Sequence, residues 1–550
     1  MLYTFGLSNY KSYDHSKDYT DQLLDLCPAD LRSKQEHINT EGLLRTAVIF
    51  GSNAAGKSNM VDGLRFIKGI ITENCLPKGS NQFYCNNHES NSDRPISFIF
   101  QILVKTDDFL SEGSADDSLI GSEEHIVSPE RTFVQYEISL SLKDSKKGYH
   151  ILHESLKVLD GRDTIQYCAR DSPESKNEVE TNISNLKFEI RAIEDRIASL
   201  RSKMEENLPV DDMSYEEKDL FMILNDVDND SNRELQNEID SLHMELKTKK
   251  KALSEEGMKM INLRSDQSFL SYDPDLDNLK ETCVINDTVK SIYLTAVIKA
   301  VFHWFDYNLE IIDPYGFVLP ELDTESFEKI SKKIKDFDVN IDRVGWIDIT
   351  NAKSISAMLS RLHPKEIEQI RKCHYNSIRD KVECSTIVGN LSGIYKFSYW
   401  HGEQSVKELV TYHGTNVPHH LEEESDGTKR IIELASILLN QKSDKTYIVD
   451  ELDRRLHPLL TKRFMELFLQ DTTEESDNKQ LIITTHETRL LTTKMFRADE
   501  IWFVDRDDEG CSTIHRASES GVPFDKRLDR LYLEDGLFGG IPLIGKRTDS

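Results

Sequence analysis

The chain has 550 residues, of which 38% are hydrophobic, enough to bury a large core within about two to four structural units. Its 97 acidic and 68 basic residues give a net charge of -29. This charge repels nucleic acid on average, so direct contact with DNA or RNA would require a local basic patch or a partner protein. Eight scattered cysteines show no zinc-ligand spacing, and neither a signal peptide nor an apolar run of about 20 residues is present. We therefore expect reduced thiols and a cytoplasmic protein without membrane spans.

The N-terminal segment is predicted to be β-rich. Residues 43–50 form a short apolar run that leads directly into a loop bounded by glycines. Beyond the loop, Val61, Leu64 and Ile67 recur at helical spacing, so a helix should begin at Ser58. Two further strands are expected at 96–104 and 132–142, as in the antiparallel part of a mixed sheet. The polar residues 105–130 between them should form an exposed loop.

Two heptad series follow this segment. The first has apolar residues at alternating steps of four and three: Val179, Ile183, Leu186, Ile190, Ile193, Ile197, Leu200 and Met204. The second comprises Leu235, Ile239, Leu242, Leu246 and Leu253, with Lys249 at one position of the seam. Leu208 and Pro209 end the first series. An antiparallel coiled-coil hairpin is the simplest interpretation, and an intermolecular coiled coil is the alternative.

The rest of the chain divides into a middle region and a second α/β segment. Residues 284–306 and 326–380 are compatible with helices, so we expect a helical middle region. Its lysines between 329 and 335 favour a solvated helix face over a nucleic-acid patch. The predicted domains are an N-terminal half of an α/β domain (1–172), the hairpin (173–262), the helical middle region (263–400) and a C-terminal half (401–550).

The loop after the first apolar strand carries the most specific motif. It fits G-x-x-x-x-G-K-[ST] and consists of Gly51, Ser52, Asn53, Ala54, Ala55, Gly56, Lys57 and Ser58. Backbone N–H groups of such a loop wrap phosphates, and the helix N-terminus adds a positive dipole. Lys57 would reach the terminal phosphates, and Ser58 would ligate Mg²⁺. We therefore predict ATP and Mg²⁺ as cofactors and include Asn59 among the nucleotide-binding residues.

Two later strands end in polar residues suited to hydrolysis. Residues 447–449 run into Asp450 and Glu451, and residues 481–485 run into His486. The carboxyl end of a strand is where an open α/β sheet places catalytic groups. Asp450 would hold magnesium, Glu451 would act as general base, and His486 would contact the γ-phosphate. Taken singly, each motif also fits an ordinary strand end.

Ser425 and Gly427 open a further predicted helix. Serine at the N-cap followed by glycine leaves backbone donors available for an anion, although a simply capped helix has the same pattern. The four motifs occur in the order phosphate loop, serine–glycine helix start, acid pair and histidine. This order is typical of ATP-binding-cassette ATPases.

With these motifs, the sequence resembles the ABC-type ATPases of the SMC and RecF group. The opening run Asn9-Tyr10-Lys11-Ser12 is similar to theirs. The run from Asp450 to Pro458 (DELDRRLHP) resembles the OLD-like and RloA-like bacterial ATPases, as do the 501–504 strand and the terminal residues 532–536 and 541–542. The resemblance covers about residues 1–170 and 410–545. It implies an α/β ABC-type P-loop ATPase head in two sequence halves, with the hairpin inserted between them.

Family mechanism then implies a homodimer or higher assembly, with ATP between the phosphate loop of one subunit and Ser425 and Gly427 of the other. Asp426 departs from the glycine common at its position. The layout also resembles the PtuA-type ATPases of Septu and retron-linked anti-phage defence. That resemblance implies an HNH-type nuclease in trans, similar to PtuB, and a retron reverse transcriptase with its nucleic acid as a further partner.

Two alternatives stay open on sequence grounds. One is an SMC- or RecF-like DNA-maintenance ATPase that binds DNA directly. The acidic composition weighs against it, as do arms only about 45 Å long at 1.5 Å per residue. The other is a nucleotide-binding scaffold with little turnover.

Overall fold

We describe the protein from a computed structural model. The described residues are 1–14, 22–73, 76, 94–110, 131–144, 148–159, 164–169, 189–200 (without 195 and 198), 238–249 (without 240 and 247), 288–314, 329–337, 341–350, 362, 364–380, 383–390, 393–400, 403–414, 416–440, 444–470, 478–492, 494–507, 509–519 and 528–533. They form two compact units. The first comprises Met1–Gly69, Asn81–Leu103 and His303–Ser550, and the second comprises Ile70–Ser80 and Val104–Phe302.

The described residues contain both strands and helices. The strands are β1 (Leu2–Ser8), β2 (Leu23–Asp25), β3 (Thr46–Phe50), β4 (Ile96–Lys105), β5 (Arg131–Asp144), β6 (Gly148–Leu159), β7 (Thr164–Ala169), β8 (Leu309–Ile312), β9 (Arg343–Asp348), β10 (Cys384–Asn390), β11 (Gly393–Trp400), β12 (Glu403–Tyr412), β13 (His419–His420), β14 (Thr446–Val449), β15 (Gln480–Thr484), β16 (Ile501–Arg506) and β17 (Ser512–Arg516). The α-helices are α1 (Lys57–Glu73), α2 (Asp107–Leu110), α3 (Thr288–His303), α4 (Ile330–Lys335), α5 (Pro364–Asp380), α6 (Asp426–Leu439), α7 (Pro458–Gln470) and α8 (Leu528–Leu533).

A largely parallel sheet lies at the centre of the first unit. Its strand order is β17-β16-β3-β15-β14-β8, and only β17 runs antiparallel to its neighbour. Strands β3, β14 and β15 are buried at every position, which explains their continuous apolar sequences. Because β3, β15 and β14 are parallel neighbours, their carboxyl ends meet at one edge of the sheet.

The main hydrophobic core fixes this sheet against its helices. Side chains from β3, β14 and β15 pack with α6 and α7; examples are Val48, Ile432, Val449, Phe464 and Ile483, all at most 1% exposed. Each of these side chains contributes about 1.5–3 kcal/mol relative to an exposed one. The edge of the sheet where the carboxyl ends of β3, β15 and β14 meet is therefore supported by a close-packed core.

Antiparallel strands form two further groups in the first unit. Strand β1 pairs with β2 and β4. A second group has the order β10-β11-β12, with β9 and β13 also paired to β12. Helix α5 packs on this group through Ile370 and Cys373, which belong to the same hydrophobic cluster as Val388 and Phe397.

The prediction of a helical middle region is wrong in part. Residues 263–400 contain α3, α4 and α5, but they also contain the strands β8, β9, β10 and β11. Strand β11 (GIYKFSYW) alternates buried and partly exposed residues along most of its length, which is the period of a strand packed on one face. Strand β8 has only four residues, too few for its period to be recognised in the sequence.

The second unit contains the antiparallel meander β5-β6-β7 and most of α3. Between β5 and β6, the buried Tyr136 hydroxyl donates to Glu154 at 2.6 Å. The described parts of the two heptad series also lie in this unit. Ile193, Ile197, Leu200 and Ile239 form one buried cluster, against which Leu242 and Leu246 pack.

Ion pairs join the same two segments. Lys249 lies 2.7 Å from Glu189, and Arg196 lies 2.9 Å from Glu238. The paired residue numbers run in opposite directions, as they do in an antiparallel arrangement. The remaining residues of the first series (Val179, Ile183, Leu186 and Met204), those of the second (Leu235 and Leu253) and the break at 208–209 lie outside the described residues.

The other element predictions agree closely with the structure. Strand β3 begins three residues later than expected, and α1 begins at Lys57 instead of Ser58. In the predicted loop 105–130, residues 107–110 form α2, and 111–130 lie outside the described residues, as do 534–536 and 541–542. Cys27, Cys373, Cys384 and Cys511 are free thiols. Among the helices in the described ranges, none combines the length and apolar character needed to cross a bilayer.

Candidate functional site

The loop between β3 and α1 can be built only with glycine at two positions. At Gly51, an added Cβ would lie 2.5 Å from the carbonyl oxygen of Val504. Gly56 has φ +116°, and a Cβ there would collide with the side chains of Ser512 and Ser12. Ala54 also has a positive φ, of 62°, an uncommon conformation for a residue with a side chain. The backbone therefore folds tightly back on itself before α1 begins.

The Lys57 side chain bonds the backbone of the loop. Its Nζ donates to the carbonyl oxygens of Gly51 at 2.8 Å and Ser52 at 3.1 Å, and the residue is 5% exposed. Burial lowers the pKa of Lys57 to about 8, although the nearby carboxylates of Asp450, Asp453 and Glu451 oppose the shift. A desolvated ammonium group beside the first amides of α1, which lack intrahelical acceptors, is a strong attractor for a phosphate group.

Ser58 and Asp450 meet across the edge of the sheet. The Ser58 hydroxyl donates to Asp450 Oδ1 at 3.3 Å. The same oxygen accepts a second bond, of 2.5 Å, from the Thr484 hydroxyl at the end of β15. The strand between the two motifs thus orients the carboxylate that faces Ser58.

A hydroxyl and a carboxylate are the hard oxygen ligands that Mg²⁺ prefers, with water and substrate phosphates completing its coordination. Ser58 and Asp450 therefore fit a magnesium ion. Within the described residues, no group of three or more His, Cys, Asp or Glu side chains is arranged to hold a metal. The protein would thus supply two ligands rather than a closed cage.

Glu451 lies in a strained backbone conformation. Its φ is +47°, in the left-handed region, where a non-glycine residue is uncommon and is held by its surroundings. The Glu451 amide donates to the Thr484 hydroxyl at 2.8 Å, and the Glu451 carboxylate pairs with Arg454 at 3.2 Å. Thr484 therefore fixes both residues of the acid pair.

His486 lies on the Lys57 side of this edge. Its Nδ1 is 3.5 Å from Lys57 Nζ. Partial burial, with a contribution from the Lys57 charge, lowers the pKa of His486, so the ring is neutral at neutral pH. Asp453 accepts hydrogen bonds from the His486 amide at 3.1 Å and from the Thr485 hydroxyl at 2.6 Å. A neutral histidine can donate one ring N–H to a phosphate oxygen.

The remaining loop residues have separate surroundings. Asn53 and Ala54 are exposed, whereas Ala55 is buried. The Ala54 carbonyl accepts from Arg506 at 3.4 Å. The Asn59 side chain, predicted to bind nucleotide, donates its amide to Ser12 Oγ at 2.8 Å. In this structure the Asn59 side chain therefore bonds a residue outside the loop.

Ser425 and Gly427 begin α6, as predicted. Ser425 is the N-cap, and its hydroxyl accepts from the Thr428 amide at 3.1 Å. A Cβ on Gly427 would lie 3.0 Å from the Arg455 carbonyl, and Asp426 pairs with Arg455 at 3.5 Å. In the described part of the chain, their contacts stay within α6 and with Arg455, and none reaches residues 51–58.

The structure thus brings Lys57, Ser58, Asp450 and His486 together in one chain, whereas the hydrogen bonds of Ser425 in the described residues do not reach this group. Sequence reasoning gave no role to Thr484 or Asp453. Both residues lie inside the strand-end motifs of the sequence analysis, so their polar character next to buried strands could have indicated a role in the site. It named Ser12 only as part of the opening run 9–12 and did not name Ser512, although both contact the loop region from distant parts of the sequence.

Comparison with known proteins assigns a class to part of the chain. Residues 312–492 match the family model described as "AAA domain, putative AbiEii toxin, Type IV TA system". This segment includes α6, β14 and β15 and lies entirely outside the loop at 51–58. No curated protein matches the chain.

Among the solved structures similar to the chain are two Smc head domains. One is the Smc head bound to the C-winged helix domain of ScpA, with 11% identity and a TM-score of 0.34 over 94% of this chain and 96% of that one. The other is the Smc head domain with a coiled coil and joint derived from Pyrococcus yayanosii, with 12% identity and a TM-score of 0.34 over 96% and 99%. The family match supports an AAA-type ATPase domain over residues 312–492, and the geometry of residues 51–58 adds P-loop features.

Proposed function

We propose that the protein binds MgATP and hydrolyses it at the edge formed by β3, β15 and β14. The observation that carries the proposal is the meeting of Lys57, Ser58, Asp450 and His486 at that edge. Lys57 would bind the β- and γ-phosphates, and the loop amides would bind the phosphate oxygens. Magnesium, held by Ser58 and Asp450, would neutralise phosphate charge. Glu451 would accept a proton from the attacking water, and His486 would donate to the γ-phosphate.

The direct test is phosphate release by the purified chain with MgATP. The expected result is turnover in the wild type, none in Lys57→Ala, and ATP binding without turnover in Glu451→Gln. Turnover unchanged in Glu451→Gln would refute the assignment of the base. Binding without turnover in the wild type would instead favour the nucleotide-binding scaffold.

We further propose that the complete site is shared between two copies of the chain. Among the described residues, no hydrogen bond or ion pair joins the amino end of α6 to residues 51–58 of the same subunit, and we propose that Ser425 and Gly427 contact a partner's nucleotide. Asp426, which pairs with Arg455, stands at the position where ABC-type ATPases commonly have glycine. ATP-dependent dimerisation of Glu451→Gln, measured by light scattering, tests this. Ser425→Arg should prevent the dimer, whereas a dimer that forms equally well in Ser425→Arg would contradict the shared site.

We propose the hairpin as the arrangement of the heptad arms. The Ile193–Ile239 cluster and the two oppositely ordered ion pairs support it. An Ile197→Cys/Ile239→Cys variant should oxidise to a cross-link within one chain, with each single variant as the control for native cysteines. Cross-linked dimers on a non-reducing gel would favour the intermolecular coiled coil.

We also propose that ATP turnover controls a separate HNH-type nuclease in cytoplasmic anti-phage defence. The support is the sequence resemblance to PtuA-type ATPases and the toxin–antitoxin description of the matched family. Affinity capture of the tagged chain from its native host, followed by mass spectrometry, should recover the nuclease, with or without a reverse transcriptase. If the chain alone binds duplex DNA tightly at physiological salt with ATP, the SMC- or RecF-like function is the better one.

A further inference from the structure

A buried hydroxyl network lies behind the phosphate-binding loop. Ser512, at the start of β17, has a fully buried side chain, and Ser12, in the turn after β1, is 5% exposed. The two Oγ atoms are 2.7 Å apart, although the residues are 500 positions apart in sequence. A backbone bond of 2.6 Å from the Ser512 amide to the Ser12 carbonyl holds them together.

This network has a donor at one end and an acceptor at the other. At one end, Asn59 Nδ2, which can only donate, lies 2.8 Å from Ser12 Oγ. At the other end, the Ala55 carbonyl, which can only accept, lies 2.5 Å from Ser512 Oγ. Each hydroxyl has a single proton. Ser12 Oγ therefore accepts from Asn59 and from Ser512, and the single Ser512 proton is shared between Ser12 Oγ and the Ala55 carbonyl.

The last acceptor is part of the loop itself. Ala55 precedes Gly56, whose φ of +116° brings the loop into α1, and the Gly56 carbonyl accepts from the Tyr13 hydroxyl at 3.2 Å. Both peptide oxygens before Lys57 are thus directed toward the buried side. When these carbonyls are fixed, the loop amides keep their orientation toward the opposite side.

We propose that Ser512 and Ser12 are positioning residues that preorganise the loop for the phosphates of a nucleotide. This inference rests on the proposed function, and it adds that a strand near the end of the chain sets the affinity of a loop near its beginning. Without the Ser512 proton, the buried Ala55 carbonyl loses its partner, and the loop samples conformations that do not bind. A ligand that requires one conformation then binds more weakly in proportion to its lost population.

The test compares binding of MgATPγS to the wild type, Ser512→Ala and Ser377→Ala by calorimetry. Ser377 on helix α5 is the matched control, since its buried hydroxyl also donates to a carbonyl, that of Tyr399 on β11, at 3.1 Å. We expect Kd to rise about tenfold in Ser512→Ala and to stay unchanged in Ser377→Ala. In steady-state assays, KM for ATP should rise and kcat should stay near the wild-type value, a division that a general loss of stability would not produce.

Ser512→Cys keeps the volume of the side chain and donates only weakly, so it provides the test if the alanine variant does not fold. Ser12→Ala should weaken binding as well. The double variant should be little worse than Ser512→Ala alone, because both changes interrupt one network. Wild-type affinity in Ser512→Ala and Ser512→Cys would overturn this inference while the proposed function stands. A wild type that does not bind MgATPγS would overturn both.

Discussion

The lowered pKa of Lys57 predicts that nucleotide affinity falls at alkaline pH. In the free protein, burial lowers this pKa from 10.5 to about 8, so the ammonium group loses its proton within a range accessible to experiment. A bound triphosphate stabilises the charged form and raises the pKa. Binding therefore takes up a proton wherever the free lysine is neutral and the bound lysine is charged.

The size of the effect follows from this difference. Well below about pH 8 the lysine is charged before and after binding, so affinity does not change through this group. Above about pH 8 each pH unit costs up to tenfold in affinity, or about 1.4 kcal/mol. From about pH 7 to about pH 9, Kd should rise roughly tenfold, provided that the bound pKa lies above about 10.

Calorimetric titration with MgATPγS at several pH values measures this rise. Repeating the titration at about pH 9 in buffers of different ionisation enthalpy should reveal the uptake of nearly one proton. Lys57→Arg is the control, because its guanidinium group stays charged throughout: its Kd should be weaker overall and flat with pH. A wild-type Kd equally flat up to about pH 9 would refute the reasoning on Lys57.

Three further predictions concern neighbouring groups. Glu451→Gln should reduce phosphate release by about 10²–10⁴-fold, the usual contribution of a general base, while a filter-binding assay still detects bound ATP. Thr484→Val removes the hydroxyl shared by Asp450 and the Glu451 amide, so the magnesium concentration for half-maximal turnover should rise; an unchanged magnesium dependence would contradict its orienting role. Gly56→Ala should abolish binding because of its positive φ and the serine contacts. Gly69→Ala, in open space on α1, should leave binding intact and raise stability by about 1 kcal/mol in thermal unfolding.

The phosphate loop could be predicted from sequence because its determinants are local. An apolar strand, two glycines, a lysine and a helical repeat all lie between residues 46 and 73. The acid pair and the histidine were placed correctly at strand ends for the same reason. Their meeting at one edge depends on the neighbour order β3-β15-β14, which long-range pairing decides and no local pattern contains.

The parts of the fold and the site that were not predicted depend on long-range strand pairing or on sequence periods that fit both a helix and a strand. Strand β8, which joins the parallel sheet, has only four residues. Their sequence is equally compatible with a continuation of the preceding helix α3. Ser512 looks like any serine at the start of a strand, and its contact with Ser12 exists only once β17 lies beside the loop. Tertiary contacts thus decide the supporting residues of the site, whereas local sequence decides the residues that would touch the nucleotide.

The hydrogen bonds of β15 connect the magnesium side of the site to the histidine side. Thr484 bonds both members of the acid pair, and the next two residues bond Asp453, which follows that pair in the chain. With the Leu452 amide, which donates to the Thr484 carbonyl at 3.0 Å, five hydrogen bonds therefore attach the turn that starts at Asp450 to the end of β15 and the two residues after it. A shift of this turn on magnesium binding would also move the His486 amide relative to Lys57, because the Asp453 carboxylate, which belongs to the turn, accepts a hydrogen bond from that amide. Magnesium ligation and contact with the γ-phosphate are thus expected to be coupled within a single subunit, before any second subunit contributes to the site.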